Sequence, residues 1–131
     1  MNPAQMIRVQ EAPFDAGAEQ HALLAGRTDI GAVVCFTGLV RDFNERPEVT
    51  ALTLEHYPGM TEAALTAIVD EARGRWPLDG VRVIHRIGRL APGDPIVLVA
   101  VASAHRRAAF EACDFIMDYL KTRAPFWKKE H

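Results

Sequence analysis

The stretch VRVIHRIGRLAPGDPIVLVAVASAHRR, residues 81–107, decides the class of this fold. Its first part alternates, with Val81, Val83, His85 and Ile87 against Arg82, Ile84 and Arg86, the period of a β-strand over 81–90. APGDP (91–95) follows as a turn built from proline, glycine and aspartate. IVLVAVA (96–102) is an unbroken apolar run of strand length, which suits a central strand covered on both faces. Ser103 then offers a cap, and the spacing changes to a helical one: Phe110, Cys113, Met117 and Leu120 recur at steps of three and four. A hairpin feeding a helix therefore closes the chain. Pro125 forbids helical geometry at Ala124, so the helix should end near Thr122 or Arg123.

Working back from that unit, Leu65, Ile68, Val69, Ala72 and Trp76 mark an amphipathic helix over 61–75, with Thr61 as its expected N-cap and Pro77 as its stop. ALTLEHY (51–57) alternates and reads as a half-buried strand; GAVVCFTGLV (31–40) reads as a buried one. These two are expected to pair as a hairpin across a polar loop at 41–49. MIRVQ (6–10) is a short strand, and Asp15 caps a helix to about Ala25, with Gly26 beyond its end. Helices thus interrupt mainly antiparallel strands, and the class is α+β.

Bulk properties narrow the function. A chain of 131 residues, 49% hydrophobic and 24% charged, has enough apolar content for a core and is expected to fold as a single domain over 1–131. No apolar run approaches a membrane span, and the N-terminus lacks the pattern of a secretory signal, so a cytoplasmic protein is expected. Cys35 and Cys113 lie far apart in apolar surroundings and read as buried reduced thiols. No metal or cofactor is expected, because metal-ligand spacings and nucleotide-binding glycine loops are both missing. The net charge of −2 argues against general nucleic-acid binding.

That charge is unevenly placed: residues 119–131 sum to +3 and the first 118 to −5. Three groups of cations stand out. Lys121 ends the last helix, where a lysine is welcome on dipole grounds alone; a fold-back of Lys128 toward it would make one of them a usable base or nucleophile. His105 and Arg106 open the same helix, where cations oppose the dipole and call for an anion. Arg41 leaves a buried strand after Gly38 and enters a loop. Solvated surface residues are the bland reading of each. His56 and His85, on apolar strand faces, read as hydrogen-bonded core histidines.

The residues themselves carry a resemblance. GAVVCFTGLVRDFN, LEHYPGMTE, VIHRIGRLAPGD, SAHR and IMDYLKTRAPFWK together resemble the MoaE family, the large catalytic subunits of molybdopterin synthase, from about residue 29 to 130. The resemblance implies an α/β hammerhead-like fold with an additional antiparallel sheet. It implies a sulfurtransferase that converts cyclic pyranopterin monophosphate to molybdopterin. Sulfur arrives as a thiocarboxylate on the C-terminal glycine of a small ubiquitin-like subunit, and the large subunit forms a homodimer within a heterotetramer. By position, the family's substrate-binding residues fall on Leu39, Val40, Arg41, His105, Arg106, Lys121, Lys128, Lys129 and Glu130, with Lys121 and Lys128 as the catalytic pair. Phe126 and Trp127 either pack the segment down or border the pterin, and the tail from about 124 to 131 is expected to be mobile. Two departures are visible: the sequence ends at His131 where family members commonly continue, and Arg107 stands where a small polar residue is usual. A non-catalytic anion-binding module that docks a ubiquitin-like protein, or an RNA-binding domain using the basic aromatic tail, would use the same cations differently.

Overall fold

The computed structural model describes residues 5–41 and 51–130. Its elements run β1 (Gln5–Gln10), α1 (Ala16–Leu24), β2 (Ala32–Leu39), β3 (Leu52–His56), α2 (Met60–Arg75), β4 (Gly80–Arg86), β5 (Gly88–Leu90), β6 (Pro95–Ser103), α3 (Arg106–Thr122) and β7 (Phe126–Glu130). The strands form two sheets, ordered β1-β4-β6-β2 and β5-β3-β7. This is the α+β class, with one parallel pair, β1 with β4.

The apolar run of β6 takes the central place expected of it, antiparallel to β4 on one edge and to β2 on the other. Every residue from Val97 to Ser103 is buried, because α2 and α3 cover one face of this sheet and α1 the other. The main core joins Leu65, Val69 and Ala72 of α2 to Val83, Val99 and Val101 of the sheet and Ala109, Ala112 and Ile116 of α3. Each such large aliphatic side chain contributes on the order of 1.5–3 kcal/mol by leaving water.

The hairpin expected between 31–40 and 51–57 does not form. β2 pairs instead with β6, Ala32 opposite Ser103 through Gly38 opposite Val97. A strand apolar on both faces needs a partner along each edge, and β2 supplies the second. β3 joins the other sheet, where Leu52 meets Leu90 of β5 and His56 meets Phe126 of β7. The strand expected over 81–90 breaks in two: Gly88 at φ +86° turns the chain out of the first sheet and into the second. Ile84, grouped with the arginines by alternation, is fully buried. The loop expected at 41–49 lies outside the described residues, apart from Arg41.

Capping follows the expectation for α1, where Asp15 Oδ1 accepts from Ala18 N at 3.0 Å. It differs for the other two helices. α2 starts one residue earlier than expected, with Gly59 as N-cap and Glu62 Oε1 accepting from Gly59 N. Thr61 is fully buried; its Oγ1 accepts from Tyr57 N at 3.0 Å and donates to Pro125 O at 3.2 Å. At α3 the N-cap is His105; Ser103 Oγ accepts from His105 N and donates to Pro77 O at 2.7 Å. Phe110 is 58% exposed, since the buried stripe of α3 runs through the small residues Ala108, Ala109, Ala112 and Cys113 to Ile116. Cys113 is buried as expected, but Cys35 is exposed, its Sγ lying 3.2 Å from Gln20 Oε1 of α1. No described helix is long and apolar enough to cross a membrane.

Candidate functional site

The expected site residues fall at the two ends of α3. At its C-terminal end, Arg123 N and Ala124 N both donate to Tyr119 O, and Phe126 N donates to Ala124 O, so the chain reverses tightly after Lys121. Thr61 holds this turn from α2 through Pro125 O. β7 then runs antiparallel to β3, with Phe126 opposite His56, Lys128 opposite Leu54 and Glu130 opposite Leu52. The segment expected to be mobile from about 124 is therefore, through Glu130, a paired strand; His131 lies outside the described residues.

Strand alternation divides β7 between two faces. Phe126 turns inward and stacks on His85, centroids 3.9 Å apart at 18°. Trp127 turns to the other face, donating from Nε1 to Glu55 Oε2 at 2.8 Å and lying 4.6 Å from the Tyr57 ring. Phe126 thus packs the segment down, while Trp127 is tied to the outer face by Glu55. Lys128 shares the inward face with Leu54, and its side chain is exposed at the sheet edge; Lys129 is exposed beside Thr53.

His85 is 8% exposed, with Nδ1 2.9 Å from Arg86 O. Burial pushes its imidazole down to about 4. A neutral ring donating from Nδ1 is the form that suits this pocket. His56 is half-buried, its Nε2 3.9 Å from Glu62 Oε2.

The end of β2 arrives beside this second sheet. Val40 is 7% exposed and packs with Leu52, Leu54 and Leu90. Its N–H donates to Asp94 O, and its carbonyl accepts from Gly93 N at 2.7 Å. The 91–94 turn therefore fixes where Arg41 emerges, exposed. Leu39, 57% exposed, points away from that cluster.

The opposite end of α3 carries His105 and Arg106. His105 has no side-chain cap bond, and the first turn holds no acidic residue. Arg107 meets Glu111 at 3.7 Å, both solvent-facing, which contributes little. Arg106 and Lys121 are 15 residues apart on one helix, about 22 Å at 1.5 Å per residue. Within a single chain, then, the expected cluster exists as two halves: Arg41, Lys121 and Lys128 at one end, His105 and Arg106 at the other.

Several arginines elsewhere in the molecule are paired. Arg8 and Arg82 share Glu19, Arg27 binds Asp29 and Asp79, and Arg86 donates to Glu11 O and Pro95 O. Among the described residues, Arg41, Arg106, Lys121, Lys128 and Lys129 have no such protein partner, a property they share with Arg73 and Arg89 away from α3's ends. Positive charge left unpaired at a helix terminus and along a sheet edge is suited to anionic groups brought from outside. Sequence reasoning missed Thr61 and Glu55, which position this end. The alternation of 51–57 did place Glu55 with Tyr57, but nothing marked Trp127 as their partner.

A family model described as MoaE protein matches residues 9–123. The chain is 65% identical over 124 residues to the molybdopterin synthase catalytic subunit of Pseudomonas aeruginosa, covering 95% of this chain and 83% of that one. It is 66% identical to the subunit of the same name from Escherichia coli, over 95% of this chain and 82% of that one. The solved structure of the molybdopterin biosynthesis MoaE protein of Burkholderia ambifaria matches with a TM-score of 0.88 at 55% identity, covering 96% of this chain and 82% of that one.

Proposed function

The chain belongs to the MoaE family, and from that premise we propose that it is the catalytic subunit of a molybdopterin synthase, acting as a sulfurtransferase on cyclic pyranopterin monophosphate. The observation that carries this reading is the set of unpaired cations at the two ends of α3. The substrate brings a phosphate and the small ubiquitin-like partner brings a thiocarboxylate, so each half of the set has an anion to receive.

Arg41, His105 and Arg106 hold the phosphate through charge-assisted hydrogen bonds, and the backbone of Leu39 and Val40, fixed by the 91–94 turn, lines the approach. Sulfur of the partner's thiocarboxylate bonds to a side-chain carbon of the pterin as the carbon–oxygen bond at that carbon breaks, its oxygen leaving on the phosphate or, once protonated, as water. The bond between that sulfur and the tail's carbonyl carbon then breaks, and the acyl carbon passes to water or transiently to Lys121. Lys121 also serves as acid or base in these steps, while Lys128 steadies the negative charge that develops on the carbonyl oxygen. Lys129 and Glu130 follow along β7 toward the tail's path.

Because α3 holds its ends about 22 Å apart, one complete site takes Lys121 and Lys128 from one copy of the chain and His105 and Arg106 from another. This fits a homodimer with a small subunit at each side, a heterotetramer. The test is complementation. Lys121→Ala and the double variant His105→Ala/Arg106→Ala are each inactive with cyclic pyranopterin monophosphate and thiocarboxylated small subunit. After mixing and subunit exchange, half the dimers are mixed and each has one intact site, so about a quarter of wild-type dithiolene product returns. No recovery from an exchanged mixture refutes the split site; dithiolene production by the wild-type chain excludes a non-catalytic binding module.

A further inference from the structure

The corner that opens α3 has no support from its own helix. His105 is the N-cap without a side-chain cap bond, and the first turn holds no acidic residue to anchor Arg106. Whatever aims these two cations must act on the backbone just before them, residues 103–105, where the chain leaves β6.

Two segments grip that backbone from opposite sides. On the β2 side, Gly31 N donates to Ser103 O at 3.0 Å, and a Cβ at Gly31 would stand 2.4 Å from the Ala104 carbonyl oxygen. On the β4 side, Asp79 N donates to Ala102 O at 2.8 Å. Pro77 O accepts from Ser103 Oγ at 2.7 Å, and the same Oγ accepts from His105 N at 3.1 Å. Neither segment lies within a strand: residues 25–31 join α1 to β2, and 76–79 join α2 to β4. Connecting segments of this kind are mobile unless something ties them.

Arg27 ties them to each other. Its Nε and one terminal nitrogen donate to the two carboxylate oxygens of Asp29, at 2.9 and 2.8 Å. This is the two-pronged geometry that fixes a guanidinium in orientation as well as distance. Longer contacts reach across to the other segment: one terminal nitrogen lies 3.4 Å from Asp79 O and the other 3.5 Å from Asp79 Oδ1. Arg27 is partly buried, unlike the solvent-facing pair of Arg107 and Glu111. The hydrogen bonds from Arg27 hold the Asp29 carboxyl down at about 2, so the pair stays ionised through the neutral range.

The charges show that this cluster is no anion receptor. The fork of Arg27 is already filled by Asp29, and two carboxylates stand there against one guanidinium. A balance of that sign behind a corner meant for phosphate works against binding through its field, so its use must lie in what it holds still.

We propose that Arg27 is a positioning residue for the substrate's phosphate: by bridging the 25–31 and 76–79 segments it fixes residues 103–105, and with them the direction in which His105 and Arg106 meet the anion. The inference rests on the reading of His105 and Arg106 as the phosphate half of a split site.

Kinetics of the full-length chain with thiocarboxylated small subunit and cyclic pyranopterin monophosphate test this. Asp29→Ala removes a negative charge near the phosphate, so the field alone would lower the apparent Michaelis constant, whereas a lost brace raises it. The expected result is a rise of about five-fold at unchanged kcat, the effect of one hydrogen bond of ordinary net strength lost to misalignment. Arg27→Ala is expected to do the same, and Arg27→Lys, with a single prong, to recover part of the loss. A Michaelis constant that falls or stays level in Asp29→Ala overturns the brace. Placement then shows where the brace acts. In exchanged mixtures of Lys121→Ala with His105→Ala/Arg106→Ala, all product comes from mixed dimers. Arg27→Ala added to the Lys121→Ala copy, which supplies the intact corner, is expected to raise the constant; added to the other copy it is expected to leave it. A rise from both placements, or from neither, overturns the positioning role. If Arg27→Ala does not fold, Asp29→Ala takes its place in both. No product from the parental mixture sinks the split site instead, and the constants of the unmixed Asp29→Ala and Arg27→Ala chains then decide the brace.

Discussion

Thr61→Val removes one hydroxyl from the junction that aims both lysines. The side chain keeps its shape, so the main core is undisturbed, but two polar groups lose their partner: Tyr57 N at 3.0 Å and Pro125 O at 3.2 Å. A buried donor or acceptor left without a hydrogen bond costs about 1–3 kcal/mol. Tyr57 is itself 52% exposed, so water can reach its N–H and the lower end applies there. Pro125 O sits in the tight reversal between α3 and β7, where solvent has less access. The expected loss is about 2–4 kcal/mol in total, a substantial share of a small domain's stability. Urea unfolding followed by far-ultraviolet circular dichroism measures it. In a Trp76→Phe background, where Trp127 is the only tryptophan, fluorescence followed in the same titration should move at lower urea than the helical signal, because β7 is the element the missing bond releases. Thr61→Ser keeps the hydroxyl and should lose about 1 kcal/mol or less. A Thr61→Val chain within about 0.5 kcal/mol of wild type, with the two probes coincident, would show that the hydroxyl does not hold the turn.

Lys121→Ala is expected to abolish dithiolene formation with an unchanged melting temperature, because the side chain is exposed and has no partner among the described residues; Arg41→Ala should instead raise the apparent Michaelis constant for the phosphorylated pterin several-fold. His85, neutral in the fold with its imidazole pushed down to about 4, opposes protonation. Its folded value lies below the unfolded one near 6.5, so its contribution is fully present above about pH 6.5 and is lost as pH falls toward 4, up to about 3 kcal/mol. Chemical denaturation across that window should show the slope in wild type and a flatter profile in His85→Phe. Gly31→Ala drives a methyl group into the backbone carbonyl of Ala104, and should cost about 1–3 kcal/mol by thermal melt while moving the His105 corner.

Much of the fold was legible because β6 announces itself. An apolar run with no polar face can only be central, and once central it demands two neighbours and helices on both sides, all of which the structure supplies. What misled was adjacency. Residues 31–40 and 51–57 follow each other in the chain and alternate like hairpin arms, yet the open edge of β6 competes for the first of them and wins. β3 is drawn to the second sheet by Leu90 and Phe126, residues with no local signal that they belong together. The caps misled for a related reason. Thr61 and Ser103 are the residue types that cap helices, but each hydroxyl is shared with a distant carbonyl, Pro125 O or Pro77 O, that no local pattern reveals.

The site residues were legible as types and places, and their convergence was not. Cations at a helix N-terminus oppose the dipole, and that cost was visible in SAHRR without any structure. The lysines at the other end agree with the dipole and so gave no such signal; the uneven charge of the last residues and a possible fold-back after Pro125 marked them instead. Residues 106 and 121 lie on one helix, and a helix of that span is a spacer of about 22 Å. On the proposed split-site reading, a helix that keeps its own two ends apart supplies one half of each of two sites.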